Sequence, residues 1–210
     1  MVVNMKRILL IALMLVLFVL TACTKGDASR YRPNDASSFS GSDKELTYTV
    51  ANPKGLKLFD DYDAVTSLCS DACGEFVRAV KNSDTADFSP YIDNALLQSY
   101  MQYRVKNHVY KYSADSKYRY FITKVEFADD YALVEGNLAT YSGNSVCMEG
   151  NVYFLVKNAN GQAVINEWYW DSMDSPDVEY RGDFSINNNL DYWDNPSKYD
   201  AIVKQLSLTH

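Results

Sequence analysis

The sequence predicts an α+β domain in which N-terminal helices pack on a mainly antiparallel sheet, followed by a C-terminal helical extension. Three observations predict it. Two stretches of helical periodicity come first. The apolar spacing then changes from 3.6 to 2 after Ser113-Ala114-Asp115-Ser116, and tight turns divide the period-2 part into successive strands. The content of 17 Tyr, 9 Phe and 3 Trp in 210 residues agrees, because aromatic side chains favour half-buried sheet surfaces.

Ahead of the domain, Lys6 and Arg7 supply a positive start, and Ile8 to Leu20 is an unbroken apolar run. A bilayer-spanning helix needs about 20 residues; this run is shorter and has the length of an export-signal core. Leu20-Thr21-Ala22-Cys23 follows directly and resembles the bacterial lipobox, an aliphatic residue and two small ones before a cysteine. The resemblance implies that Leu20, Thr21 and Ala22 are read by a signal peptidase. Cleavage then falls before Cys23, whose thiol carries diacylglycerol. Residues 1–22 are accordingly expected to be a signal peptide. The mature chain is expected to be a lipoprotein at the cell membrane or outer membrane, anchored by lipid and facing away from the cytoplasm. Two or more acyl chains anchor stably, at roughly 0.8 kcal/mol per buried CH₂, where one does not.

Charge narrows the partners. The whole chain carries −7. Lys6 and Arg7 are the only charges before Cys23, so their removal leaves −9. Such a surface repels phosphate backbones, which excludes nucleic acid as a partner, and it leaves the lipid as the means of membrane attachment.

Residues 23–45 are rich in Ser, Asp, Gly, Lys and Arg and offer almost nothing to bury, which predicts a disordered tether. The domain is expected over residues 46–172. Leu46 to Phe59 reads as a short strand, a turn at Asn52-Pro53-Lys54-Gly55 and a second apolar segment. Val65, Leu68, Cys69, Ala72, Cys73, Phe76, Val77 and Val80 share one helical face and predict a helix over Tyr62–Lys81, with Asp60, Asp61 and Asp63 crowding its positive end. A second helix is expected over Asp93–Tyr110, with Leu96, Leu97, Tyr100, Met101, Val105 and Val109 inward. Strands follow over Tyr118–Phe127, Tyr131–Tyr141, Ser145–Lys157 and Gln162–Asp171. Asn158-Ala159-Asn160-Gly161 is a strong hairpin signal between the last two.

The run Asp84-Thr85-Ala86-Asp87-Phe88-Ser89-Pro90-Tyr91-Ile92, the order of elements, and the Trp168-Tyr169-Trp170 strand end are together similar to the nuclear-transport-factor-2-like superfamily. The similarity covers about Tyr62 to Ser172. It implies a strongly curved sheet wrapped around the helices as a cone with one open mouth. The superfamily includes enzymes and non-catalytic binding modules, so the fold alone does not assign an activity. Residues 173–210 form the extension. Asp174-Ser175-Pro176 breaks the last strand, and Asn195-Pro196 reads as the N-cap and first residue of a helix expected to cover the cone or pack on the sheet.

Candidate chemistry is sparse. Cys69 and Cys73 share the buried helix face, where free Cys acts as a small hydrophobe, and a bridge from Cys147 to Cys69 or Cys73 stays open. No second CxxC or nearby His completes a metal site, so neither metal nor cofactor is expected. Tyr103, His108, Glu126, Glu135, Glu149 and Glu167 are the acid/base groups within reach of a cavity or its rim. Glu135, Glu149 and Glu167 lie on three successive strands and could cluster on one face. Trp168 and Trp170, with Tyr169, Tyr192 and Trp193, could form an aromatic platform for sugar. Asp171 to Asp177 lacks the spacing and Gly of a calcium loop, and Arg181-Gly182-Asp183 is read as a turn. The leading expectation is a non-catalytic binding or accessory domain for an envelope protein or small ligand. The alternatives are an isomerase- or hydrolase-like enzyme using a cavity carboxylate, and a carbohydrate or cell-wall binder.

Overall fold

The computed structural model describes residue 48 and residues 61–108, 116–142, 145–172, 175–181 and 191–208, all within one compact unit, Ala36–His210. The export signal, Cys23, the tether, the segment 46–59 apart from Tyr48, and Val109, Tyr110 and Asp183 lie outside the described residues.

Helix α1, Tyr62–Asn82, begins where the Asp61 carboxylate accepts the Ala64 N–H at 3.1 Å. It ends at Ser83, whose left-handed backbone (φ 53°) lets Ser83 and Asp84 return their N–H groups to Val80 and Ala79. Its buried face is the one the periodicity marks, extended by Glu75, which accepts from Arg78 and from the Asp87 N–H. Helix α2, Ala95–Lys106, is capped by Asn94, whose side chain accepts from Leu96 N and Leu97 N. It starts later and stops earlier than the expected Asp93–Tyr110. At the stop, Asn107 directs both its N–H and its side-chain amide to the Tyr103 carbonyl, so the Asn takes over the role of the next turn.

Among the described residues, strands β1 (Lys117–Phe127), β2 (Tyr131–Ser142), β3 (Ser145–Ala159) and β4 (Gln162–Asp171) form one open, antiparallel four-stranded sheet in chain order, with β1 and β4 outermost. The β3–β4 turn takes positive φ at Asn160 (55°) and Gly161 (87°), and the Asn158 side chain accepts the Gly161 N–H.

Of the three register slips, the two in β1 and β4 decide which of their side chains face the helices, and the third lies between Thr140 and Tyr141. In β1 the slip lies between Ile122 and Lys124. In β4 Ile165 opposes Val156 while Glu167 opposes Leu155, so the register shifts by one residue at Asn166. Parity inverts there. Ala163 and Ile165 before the slip, and Trp168 and Trp170 after it, therefore share the inner face with Val134, Val152 and Phe154, all buried. Phe76 of α1 packs on Trp168 and Trp170, with ring centroids 6.1 and 5.4 Å away, and Phe88 meets Trp168 edge-on. Gly150 lies against the Trp170 indole, where an added Cβ would come within 2.7 Å of Nε1.

The extension comprises α3 (Pro176–Arg181), a 3₁₀ turn (Tyr192–Asp194) and α4 (Pro196–Leu208), the last starting at the expected proline. Helix α3 does not figure in the sequence expectation, although Pro176 sits at its first position, where proline is favoured.

Candidate functional site

The edge of β4 that faces away from β3 organises the site. Its outward N–H groups alternate along the strand, and each finds an oxygen. Ala163 N donates to Tyr48 O at 2.7 Å and Ile165 N to Tyr91 O at 2.8 Å. Beyond the slip, carboxylates replace carbonyls: Trp168 N donates to Glu167 Oε1 at 2.8 Å and Trp170 N to Asp177 Oδ2 at 3.0 Å. The edge is thereby closed to further strand pairing.

Those two carboxylates anchor a buried charge cluster. Arg181 spans them, 2.7 Å from Glu167 Oε2 and 3.0 Å from Asp177 Oδ1. Arg104 of α2 donates to Asp177 Oδ2 at 2.7 Å. Tyr100 Oη donates to Asp177 Oδ1 at 2.7 Å, and Trp193 Nε1 to Glu167 Oε1 at 2.8 Å. Each guanidinium sits among aromatic faces. Arg104 lies 4.9 Å from the Trp170 centroid and 5.8 Å from both Phe76 and Tyr100. Arg181 lies 4.2 Å from Tyr192 and 5.2 Å from both Trp193 and Tyr169. Burial pushes the Glu167 carboxyl upward, with Arg181 and the Trp193 indole only partly restoring it. Burial also opposes the charge on Arg181, yet the two carboxylates more than offset this and raise it. The Tyr100 hydroxyl is driven well up, by burial first and Asp177 second.

This geometry corrects several expectations. Trp168 and Trp170 are 0 % and 1 % exposed, and Trp193 is 1 % exposed, so they belong to the core and form neither a cavity rim nor a sugar platform. Glu167 is fully buried and engaged in the charge cluster. The register places Glu135, Glu149 and Glu167 on the sheet face away from α1 but does not bring them together. Glu135 opposes Tyr153, Glu149 opposes Ala139 and Glu167 opposes Leu155. At about 3.4 Å per residue, the cross-strand neighbour of Glu135 lies ~14 Å along β3 from Glu149. Glu149 is exposed. Asp177 is committed to two arginines, and Arg181 is buried at the end of α3.

Tyr103 and His108 do come together. They line an open groove of about 760 Å³ between the C-terminal ends of α1 and α2, with Val80, Asp84, Lys106 and Tyr199. The His108 ring stands edge-on to Phe76, with centroids 5.5 Å apart. Burial, aided by Arg104, pushes its imidazole down to about 4. Cys69 and Cys73 are free, buried thiols raised well above the ordinary cysteine range by burial, so neither carries the bridge to Cys147 that the sequence left open. The Cys147 side chain lies outside the described residues.

Arg104, Asp177 and Arg181 are the charged members that sequence reasoning missed, the last read there only as part of a turn. Arg104 shares the inner face of α2 with Tyr100, Met101 and Val105, but a charged residue at a core position reads as a break in the apolar stripe. Among the described residues, no helix is long and apolar enough to cross a membrane. Comparisons of the chain with protein-family profiles, with curated proteins and with solved structures find no match.

Proposed function

We propose that this chain is an extracytoplasmic, lipid-anchored protein whose folded part is a non-catalytic binding or accessory domain. Its partner is an envelope protein or a small ligand, and its framework is the nuclear-transport-factor-2-like cone. The observation that carries the non-catalytic reading is the engagement of Glu167. Both of its oxygens are taken, by Arg181 on one side and by the Trp193 indole and Trp168 N–H on the other. A general acid or base needs an oxygen that can reach a substrate proton. Supporting the cone are the helix–helix–meander order and the register slips in β1 and β4, a device that bends and twists strands. Supporting the anchor are the apolar run Ile8–Leu20 and the Leu20-Thr21-Ala22-Cys23 box. The groove beside Tyr103 and His108 has the volume of a small-ligand site.

The test uses the full chain exported by a bacterial host. Intact mass is expected to show residues 1–22 gone and an acyl adduct on Cys23. Cys23→Ala is expected to release the protein from membranes. Photocrosslinking from position 103 in intact envelopes is expected to capture a discrete adduct. An unacylated product would remove the anchor, and no adduct from position 103 would remove the groove as the binding face.

A further inference from the structure

Asp177 takes its three closest-set partners outside α3 from α2 and β4. The α2 groups Tyr100 Oη and Arg104 Nη1, and the β4 backbone N–H of Trp170, converge on its carboxylate at 2.7, 2.7 and 3.0 Å. Arg181 Nη1 and, more distantly at 3.5 Å, Ser175 Oγ complete its contacts. Phe76, Tyr100 and Trp170 wall the site. Tyr100, Arg104 and Trp170 are all more than nine-tenths buried. This is the composition of a carboxylate receptor: a guanidinium and two neutral donors in a dry, aromatic-walled pocket.

The element that fills it is anchored unlike a structural helix. Helix α3 has only six residues, far fewer than the ~12–15 an isolated helix needs. Its fully buried side chains are both charged, Asp177 and the Arg181 head, whereas Val178 and Tyr180 are half-buried. Desolvating buried charges is costly, and the best-attested use of buried ion pairs is to set a register or a switch.

We propose that the Tyr100–Arg104–Trp170 pocket is a carboxylate-binding site which the protein closes on itself. Helix α3 supplies Asp177 as an intramolecular ligand, and a free carboxylate takes its place when α3 swings out. This deepens the binding reading given above, on which it rests, by naming the ligand's chemical class.

The probe is sodium formate, matched in ionic strength by sodium chloride, on the full chain. In Asp177→Ala, melting is expected to fall, and formate, unlike chloride, to restore part of the loss saturably. Adding Arg104→Gln is expected to abolish that rescue. In the unsubstituted protein, formate is expected to accelerate hydrogen exchange of the α3 amides several-fold while α1 is unchanged. A folded Asp177→Ala protein indifferent to formate overturns the proposal, and so does α3 exchange that formate leaves unaltered. If Asp177→Ala does not fold, the exchange measurement decides alone. Acylation of Cys23 and capture from position 103 are read independently, so failure here is distinguishable from failure of the binding reading.

Discussion

Replacing Arg181 by methionine tests whether the charge cluster behaves as one unit. The cluster holds two guanidiniums and two carboxylates, Arg104, Arg181, Asp177 and Glu167, and so is neutral as it stands. Arg181→Met removes one positive charge and leaves Glu167, whose side chain is 1 % exposed, without a counter-charge. Breaking a buried pair from one side costs about 3–5 kcal/mol, against a total stability of about 5–15 kcal/mol for a domain. Glu167→Gln leaves Arg181 facing an amide, and a loss of similar size is expected. The double variant Arg181→Met/Glu167→Gln restores neutrality, because Arg104 and Asp177 still pair. Its cost is therefore expected to fall short of the sum by a coupling on the order of 2 kcal/mol. Urea titration followed by tryptophan emission is the assay, and it is well placed because Trp168, Trp170 and Trp193 are all buried in or beside the cluster. Single substitutions costing less than about 1 kcal/mol each, with additive effects in the double, would mean a solvated, loosely coupled cluster and would refute the reasoning.

Three further outcomes follow from other parts of the structure. Gly150→Ala forces a methyl against the sealed Trp170 indole and is expected to lower stability by about 1–3 kcal/mol; an unchanged urea midpoint would show that the indole has room. His108 is expected to titrate near 4 by NMR, below the ordinary 6.5. The unfolded chain therefore binds more protons between these values, so the His108 contribution is complete above pH 6.5 and is lost as pH falls toward 4; a midpoint of 6 or higher would contradict the burial assigned to the ring. Iodoacetamide at neutral pH is expected to leave Cys69 and Cys73 unmodified until urea unfolds the domain, and rapid native labelling at either position would count against their placement.

The elements were legible in the sequence wherever one physical signal dominates. The helical face from Val65 to Val80 and the Asn158–Gly161 turn placed α1 and the β3–β4 hairpin because nothing competes with them locally. Strand faces were not legible, and β4 shows why. Simple alternation cannot put Ala163, Ile165, Trp168 and Trp170 on one side, and only a slip at Asn166 makes their parity consistent. The same device in β1 unites Tyr118, Tyr120 and Ile122 with Val125 and Phe127 on the side that packs against the core. Once the slips are known, Glu135, Glu149 and Glu167 fall on the face away from α1, and their positions along the strands keep them apart. The charge cluster was illegible for a different reason. Its members lie far apart in sequence, and an arginine becomes a core residue only when carboxylates and aromatic rings from other elements surround it. Asp177 could have been suspected from Ser175-Pro176-Asp177, a helix-start pattern hidden by reading the proline only as a strand breaker.

The position of the charge cluster follows from the outer edge of β4, the one that faces away from β3. An apolar cover over that edge would leave the Trp168 and Trp170 N–H groups without acceptors, at about 1–3 kcal/mol each. Glu167 and Asp177 supply acceptors where no strand among the described residues does. A buried carboxylate in turn requires counter-charge, which Arg104 and Arg181 bring from α2 and α3. A buried guanidinium has flat faces that water no longer covers, and the rings of Phe76, Tyr100 and Trp170 on one side, and of Tyr169, Tyr192 and Trp193 on the other, cover them. Each requirement creates the next, so Glu167, one of the acid/base groups the sequence offered, is consumed in finishing a sheet edge. The same chain of requirements explains why the pocket around Asp177 is so well suited to a carboxylate. Its donors answer a need of the fold, and a ligand can enter only by meeting that need as well as α3 does.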